Sequence, residues 1–406
     1  MKMNEGSHQS MRRANLLKVL QAVRQNGPLS RPEIQRISEL SWGSVMNCCE
    51  ELCKREILTT TGQSISGRVG RRSTMFDFST RSHLVLGIDL GSVNTRLVLT
   101  DLRGNVLRKT VLATPSNNDG KFIVNEVCCF ADQWLSDLPG ESSRLAGVSF
   151  AVPGSVDVET GICLLAPHFV ALKNLPLKAQ VEQFFGQPCV VEHSLTCLAN
   201  AEKWFGAGRS AQNLLCLSMG AGLGLGIIVN GRPYRGSKHN AGQIGHIPVV
   251  PGGRLCACGR KGCLEAYASA SAIGDIAREQ LRRTKPGDSG VLALARRMED
   301  ITGEIVTQAA ANGDKAAMLL LEEVGYYLGL GLTASVNLFN PERITFSGGF
   351  SHAFEFFRPK LEETLKQCAW PPCVCPIEVS KLGDEGVALG AATLVLDRVY
   401  EGQLLV

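Results

Sequence analysis

"DLGSVNTRLVLTDLRGNVL", residues 89–107, carries the pattern that decides most of this fold. The short apolar run Leu84 to Ile88 leads into it and reads as a buried strand. An acidic residue (Asp89), a glycine turn (Gly91) and a second strand follow. Such a hairpin can hold a phosphate or its metal ion. Further along, "LLCLSMGAGLGLGIIVNG" (214–231) alternates Gly220, Gly222, Gly224 and Gly226, which lets backbone amides approach a ligand closely. In "ITFSGGF" (344–350), Ser347, Gly348 and Gly349 sit between a strand and a helix. Each glycine cluster alone is weak evidence. Their order along one chain is what carries weight.

The chain of 406 residues has room for two or three domains. Its 44% hydrophobic and 20% charged content is that of an ordinary globular protein. No apolar run approaches the roughly 20 residues needed to span a bilayer. The N-terminus is polar, without the apolar core of a secretion signal, so a cytoplasmic protein is expected. There the 15 cysteines are thiols except where metal holds them, and Cys163, Cys189 and Cys216, each in apolar context, are expected to pack the core.

Charge is concentrated at one end. Residues 1–82 hold 13 Lys and Arg against 7 Asp and Glu, a balance of +6, which leaves −2 on the rest of a chain whose net charge is +4. A small basic domain that meets a polyanion is implied, joined to a larger domain with another task. Leu16, Leu17, Leu20 and Val23 recur at helical spacing over Met11 to Asn26, and Gly27 stops that helix. "SRPE" (30–33) then opens a second helix running to about Glu39: Ser30 caps it, Pro32 suits an early position, and Glu33 completes a capping box. Ser41 caps a third helix, near Trp42 to Arg55. Two short helices across a tight turn form a helix-turn-helix, whose second member enters the major groove by its N-terminal end. The groove-facing candidates are Trp42, Ser44 and Asn47, with Val45, Cys49 and Leu52 on the buried face. "ILTTTGQSISGRVGRRSTMFDF" (57–78) reads as a hairpin wing with Arg68, Arg71 and Arg72 at its tip, placed for phosphates or a narrow minor groove. The alternative is a solvated basic hairpin on a protein-binding module.

In their order, the three glycine elements resemble the phosphate 1, phosphate 2 and adenosine motifs of the sugar-kinase/actin/Hsp70 fold. "AVPGSVDVETG" (151–161), "EHSLTCLANAEKWFGAG" (192–208), "GQIGH" (242–246) and "CACGRKGCLE" (256–265) make the likeness specific. Over essentially its whole length the chain resembles the ROK family (repressors, open reading frames and kinases). Its basic head places it with the repressor branch, which includes glucose, N-acetylglucosamine and xylose regulators. The resemblance implies an α/β fold class: an N-terminal winged helix-turn-helix (1–82) and a two-lobed actin-like ATPase fold. The first lobe is expected over 83–196, completed by a C-terminal helix within 383–406, and the second over 197–382.

The family likeness assigns His246, Cys256, Cys258 and Cys263 to structural zinc. One imidazole and three thiolates close a tetrahedral shell, and Gly259 and Gly262 allow the tight turns. Cysteines that merely populate a flexible loop are the other reading. The family's kinases carry "E-N-D-A-N", with the aspartate as base, where this chain has "EHSLT" (192–196). Ser194 stands in the place of the aspartate, and a serine hydroxyl is far too weak a base near neutral pH. Val93 and Ala221 each replace a threonine hydroxyl that could reach phosphate, while Asp89 is retained. The family's sugar contacts map to His168, His193 with Ser194, Gln243, His246 and Glu265, and of these only His246 and Glu265 are unchanged. The added histidines favour an anionic ligand such as a sugar phosphate, by neutral donation or by charge at lower pH. A pocket that no longer binds sugar is the alternative.

The expected function is a transcriptional regulator of carbohydrate genes, a repressor, with a kinase-like effector domain that has lost catalysis. It would bind a palindromic DNA operator as a homodimer or homotetramer, touch no membrane, and hold structural zinc. An ATP-dependent sugar kinase with a fused DNA-binding head, and a kinase-like scaffold governed by a protein partner, are the competing readings.

Overall fold

The computed structural model describes residues 3–64, 73–80, 82–137, 144–166, 169–282 and 289–404. Two compact units emerge, Met1–Glu192 with Ala388–Val406, and His193–Val387.

The first unit begins with α1 (Met3–Asn26), which starts about two turns earlier than the apolar spacing suggests. Leu16, Val19, Leu20 and Val23 are its buried stripe, while Leu17 stays half-buried. β1 (Leu29–Ser30) leads into α2 (Arg31–Ser38). There Glu33 reaches back to accept from both the backbone N–H (2.8 Å) and the hydroxyl (2.7 Å) of Ser30, which holds its carboxyl below the usual range. Glu39 then turns the chain at φ 56°, and Ser41 opens α3 (Trp42–Lys54), accepting from the Ser44 N–H at 3.2 Å. Val45, Cys48, Cys49 and Leu52 form the buried face of α3. The wing follows as β2 (Leu58–Ser64) and β3 (Ser73–Phe78), antiparallel. β1 adds a third strand through Leu29↔Phe76, a pairing that two residues of sequence do not announce. Arg68, Arg71 and Arg72 lie outside the described residues.

The same unit continues with β4 (Leu84–Leu90), β5 (Asn94–Thr100), β6 (Val106–Ala113), α4 (Gly120–Ser136), β7 (Leu145–Val152), β8 (Ser155–Asp157), β9 (Ile162–Leu165), α5 (Leu177–Phe185) and β10 (Cys189–His193). The sheet order is β10-β7-β4-β5-β6, with β4 and β5 antiparallel and β4 and β7 parallel. α4 and α5 cover one face, burying Ile123, Val127, Ala131 and Val181 against Ile88, Leu97 and Phe150. The chain re-enters this unit through α13 (Gly386–Tyr400). Gly87 of β4 is glycine for that reason: a Cβ there would stand 2.1 Å from the Ala388 carbonyl oxygen.

The second unit repeats the plan. It comprises α6 (Ser194–Trp204), β11 (Leu214–Met219), β12 (Leu223–Val229), β13 (Arg232–Pro233), α7 (Glu265–Ala268), α8 (Ala270–Leu281), α9 (Gly290–Leu294), α10 (Gly303–Ala311), α11 (Lys315–Phe339), β14 (Arg343–Ser347), α12 (Phe354–Cys368) and β15 (Ile377–Val379). Its sheet order, β13-β12-β11-β14-β15, matches the first: an antiparallel three-strand meander, then two parallel strands. Two sheets of one topology in one chain are what the order of the glycine motifs predicts. The reason for two of those glycines differs from the sequence reading. A Cβ at Gly224 would meet the Leu195 side chain at 2.0 Å, and one at Gly226 the Leu195 carbonyl at 2.3 Å. They admit α6 onto β12; a ligand is not what requires them.

Cys163, Cys189 and Cys216 are fully buried, and burial pushes the Cys163 thiol up to about 12, as core packing requires. Among the described residues no helix is long and apolar enough to cross a membrane.

Candidate functional site

The head presents the N-terminal turn of α3. Trp42 is 48% exposed and Asn47 is exposed, so both reach solvent. The Ser44 hydroxyl lies 2.9 Å from that of Ser41 and takes part in the cap. Glu51 on the same helix is drawn back by Arg12 (2.7 Å) and Arg55 (2.6 Å). Its charge is thereby offset, although exposed pairs of this kind add little stability. Burial pushes the Cys49 thiol up to about 12, so this cysteine is inert packing.

One contact set of the head has no signature in the sequence. The Arg24 guanidinium of α1 lies 4.4 Å over the Tyr400 ring and 3.4 Å from the Asp397 carboxylate, both on α13. Tyr400 meets Phe78 of β3 edge-on at 5.3 Å and donates its hydroxyl to the Leu102 carbonyl. Arg103 donates to Asp77 at 2.6 Å, and Arg13 donates to the Gly402 carbonyl. Helix, wing and C-terminus are tied at one junction by residues up to 389 positions apart. No spacing rule connects them.

In the second unit, the ligating atoms of His246, Cys256, Cys258 and Cys263 all lie within 4.8 Å of one another. Cys258 and Cys263 sulfurs are 3.7 Å apart, and the Cys256 sulfur is 3.8 Å from His246 Nδ1. Thiolates at about 2.3 Å from one tetrahedral ion stand about 3.8 Å apart, so the donor set fits a metal ion. The backbone explains the gathering. Cys256 accepts from the Gly259 N–H at 2.9 Å in a tight turn, and Gly259 and Gly262 sit at φ 84° and 85°, where other residues are strained.

Glu265 borders this cluster. Its Oε1 is 3.8 Å from the Cys256 sulfur and its Oε2 accepts from the Leu223 N–H at 3.1 Å. Gln243 is exposed, and its carbonyl accepts from the His246 N–H at 3.1 Å. Gln243, His246 and Glu265 are thus brought into one corner. His193 and Ser194 open α6, and Leu195, the next residue, packs on Gly224 beside Leu223. β12 therefore touches both halves of the candidate effector site through consecutive residues. His193 Nδ1 accepts from the Leu195 N–H at 3.3 Å as the helix cap, and burial lowers its pKa to about 4. An accepting Nδ1 leaves the proton on Nε2, so this histidine is a neutral donor at physiological pH and charge does not enter. His168 lies outside the described residues.

The first phosphate hairpin is intact as a shape. Thr114 clips it, donating its hydroxyl to the Gly91 carbonyl at 2.7 Å and its N–H to the Val93 carbonyl at 2.8 Å. Val93 is 72% exposed at the tip, a methyl surface where a hydroxyl would face phosphate. Asp89 pairs across the strands with Arg96, and burial raises its carboxyl to about 6 against the pull of that guanidinium.

The ROK family signature matches residues 85–398. The chain belongs to the ROK family. A xylose repressor of Caldicellulosiruptor bescii is 30% identical over 393 residues, covering 96% of this chain and 97% of its own. In structure, a ROK family transcriptional regulator described as a homolog of Escherichia coli MLC superimposes with a TM-score of 0.84 at 28% identity, over 97% of each chain. A ROK family glucokinase of Streptomyces griseus, solved with glucose and AMPPNP, superimposes at 0.67 and 30% identity. That glucokinase covers 77% of this ROK chain and 98% of itself. The xylose repressor and the transcriptional regulator extend along nearly the whole chain, and the kinase over a portion the size of the two lobes without the head. An N-terminal winged helix-turn-helix followed by the two-sheet actin-like fold is the architecture of this ROK protein.

Proposed function

We propose that this ROK protein is a DNA-binding transcriptional repressor of carbohydrate genes, with a sugar or sugar phosphate as effector and no phosphoryl transfer of its own. The observation that carries this reading is the pairing of a helix-turn-helix head with a kinase-like body in one chain; the family resemblance, which puts Ser194 where the kinases carry their aspartate base, supports the loss of phosphoryl transfer. Trp42, Ser44 and Asn47 read the major groove, and Arg68, Arg71 and Arg72 of the wing contact phosphates. Two heads on a palindromic operator require a dimer or a tetramer. The effector is held by His168, His193, Ser194, Gln243, His246 and Glu265. It releases the operator because it binds the DNA-bound and free states unequally.

The metal is structural zinc. Four protein ligands leave no open position, so its contribution is to fix the loop that carries His246 and abuts Glu265. Bound through Nδ1, His246 keeps Nε2 for a ligand hydroxyl, and Glu265 is held in orientation by the Leu223 amide.

Selection of genomic fragments by the purified protein, with and without a panel of sugars and sugar phosphates, tests the proposal. Retention of specific fragments and their release by one compound are expected. Salt-sensitive retention without sequence preference would sink it. The retained Asp89 and the glucokinase match favour a second reading, a sugar kinase with a DNA-binding head, and ADP release with a hexose panel separates the two.

A further inference from the structure

A groove lies between α4 and α5 of the first unit. Asn125 and Cys128 of α4 face Gln180, Gln183 and Phe184 of α5 around a cavity of about 330 Å3. This falls within the roughly 300–1,000 Å3 of small-molecule sites. Gln180 spans the groove: its Nε2 donates to the Lys121 carbonyl at 2.7 Å, which orients the carboxamide. Its Oε1 is buried and has no hydrogen-bond partner among the described residues. Gln180 therefore keeps unused hydrogen-bonding capacity beside the groove. At the rim, Phe184 is 37% exposed, with one ring edge supported by Phe185 at 4.9 Å.

The lining decides what the partner is. Asn125, Gln180 and Gln183 each offer both donors and an acceptor, the inventory that matches hydroxyl groups. Phe184 adds a flat apolar face for ring C–H groups. None of the five lining side chains is charged: burial pushes the Cys128 thiol up to about 12, so it stays protonated. A phosphate or carboxylate finds no cation in the lining, and a divalent ion finds no anion. We infer that the α4–α5 groove is a second binding site, separate from the His246–Glu265 corner, and that it takes a neutral saccharide of one or two rings with the Phe184 ring against the pyranose face.

Saturation-transfer NMR on the full-length chain tests this with maltose and N,N′-diacetylchitobiose as probes, glucose 6-phosphate as the anionic control and triglycine as the peptide control. The variants are Gln183→Ala and Phe184→Ala, both at exposed positions, and Glu265→Gln at the other corner. Transfer to the pyranose C–H protons of a neutral disaccharide is expected. It should weaken at least about tenfold in each groove variant and persist in Glu265→Gln. Three results overturn the inference: no transfer to either disaccharide in the wild-type chain, transfer that both groove variants leave unchanged, or preferential binding of triglycine or glucose 6-phosphate. Loss of binding in Glu265→Gln alone would assign the signal to the other corner and equally refute the groove.

Discussion

Replacing Tyr400 tests whether the head is held by its own small core or by the end of α13. The side chain is 2% exposed, sits under the Arg24 guanidinium at 4.4 Å and against Phe78 at 5.3 Å, and donates to the Leu102 carbonyl. Tyr400→Phe keeps both ring contacts and removes that hydrogen bond, leaving a buried carbonyl short of a donor, at about 1–2 kcal/mol. Tyr400→Ala also removes the ring and opens a cavity, about 3–5 kcal/mol by comparison with other buried aromatics. Amide hydrogen exchange followed by mass spectrometry reads this locally. If α1 and β3 open by leaving α13, their amides should exchange about 5–30-fold faster in Tyr400→Phe and more than about 100-fold faster in Tyr400→Ala. Amides of β11 and β14 in the second unit should keep their wild-type rates. Unchanged exchange in α1 and β3 of Tyr400→Ala, with α13 alone loosened, would refute the reasoning: Leu20, Ile34, Leu52 and Phe76 would then suffice to hold the head.

Three further outcomes are expected. If the proposed zinc site is filled, elemental analysis should find one zinc per chain, and Cys258→Ser, at an exposed position of that cluster, should lower it to well below one and weaken effector binding through the His246 loop. His193 has an ordinary pKa of 6.5 and about 4 in the fold, so the unfolded chain takes up the extra proton between these values. The stability that His193 protects is complete above pH 6.5 and is lost as pH falls toward 4, by roughly 3 kcal/mol. His193→Asn, which keeps a capping acceptor, should flatten that part of a denaturation profile, and an unchanged profile would show that the imidazole is not the titrating group. Ser194→Asp should leave ADP release at the wild-type background, because a restored base, worth about 10²–10⁴-fold, still lacks the hydroxyls absent at Val93 and Ala221. Turnover appearing in that single variant would mean the base was the sole defect.

What the sequence shows and what it hides divide along a physical line. The starts of α2 and α3 were legible because a cap is local: Ser30 and Glu33 lie three residues apart, and Ser41 with Ser44 likewise. The cysteine cluster was legible because its ligands fall within 18 positions and metal geometry limits the spacings that work. β1 was not, since two residues cannot show a period and the strand exists only by pairing with β3. The head's anchor on α13 was not, since Arg24 and Asp397 stand 373 residues apart and nothing local marks either one.

Gly224 and Gly226 make the same point at a finer scale. Alternating glycines on a strand permit two things, a close ligand or a close helix, and the sequence pattern is the same for both. The fold decides between them: the side of β12 that lacks Cβ atoms is filled by Leu195, one residue beyond Ser194. The glycines would therefore act on the proposed effector site indirectly, by setting how near α6 and its capping His193 come to β12 and to the Leu223 amide that orients Glu265. A bulkier residue at Gly226 would displace the Leu195 carbonyl and with it the start of α6, leaving the metal loop in place. Changes in this glycine strand should thus alter effector response without altering metal content. This separates two neighbouring parts of the second unit that otherwise share a border at Glu265.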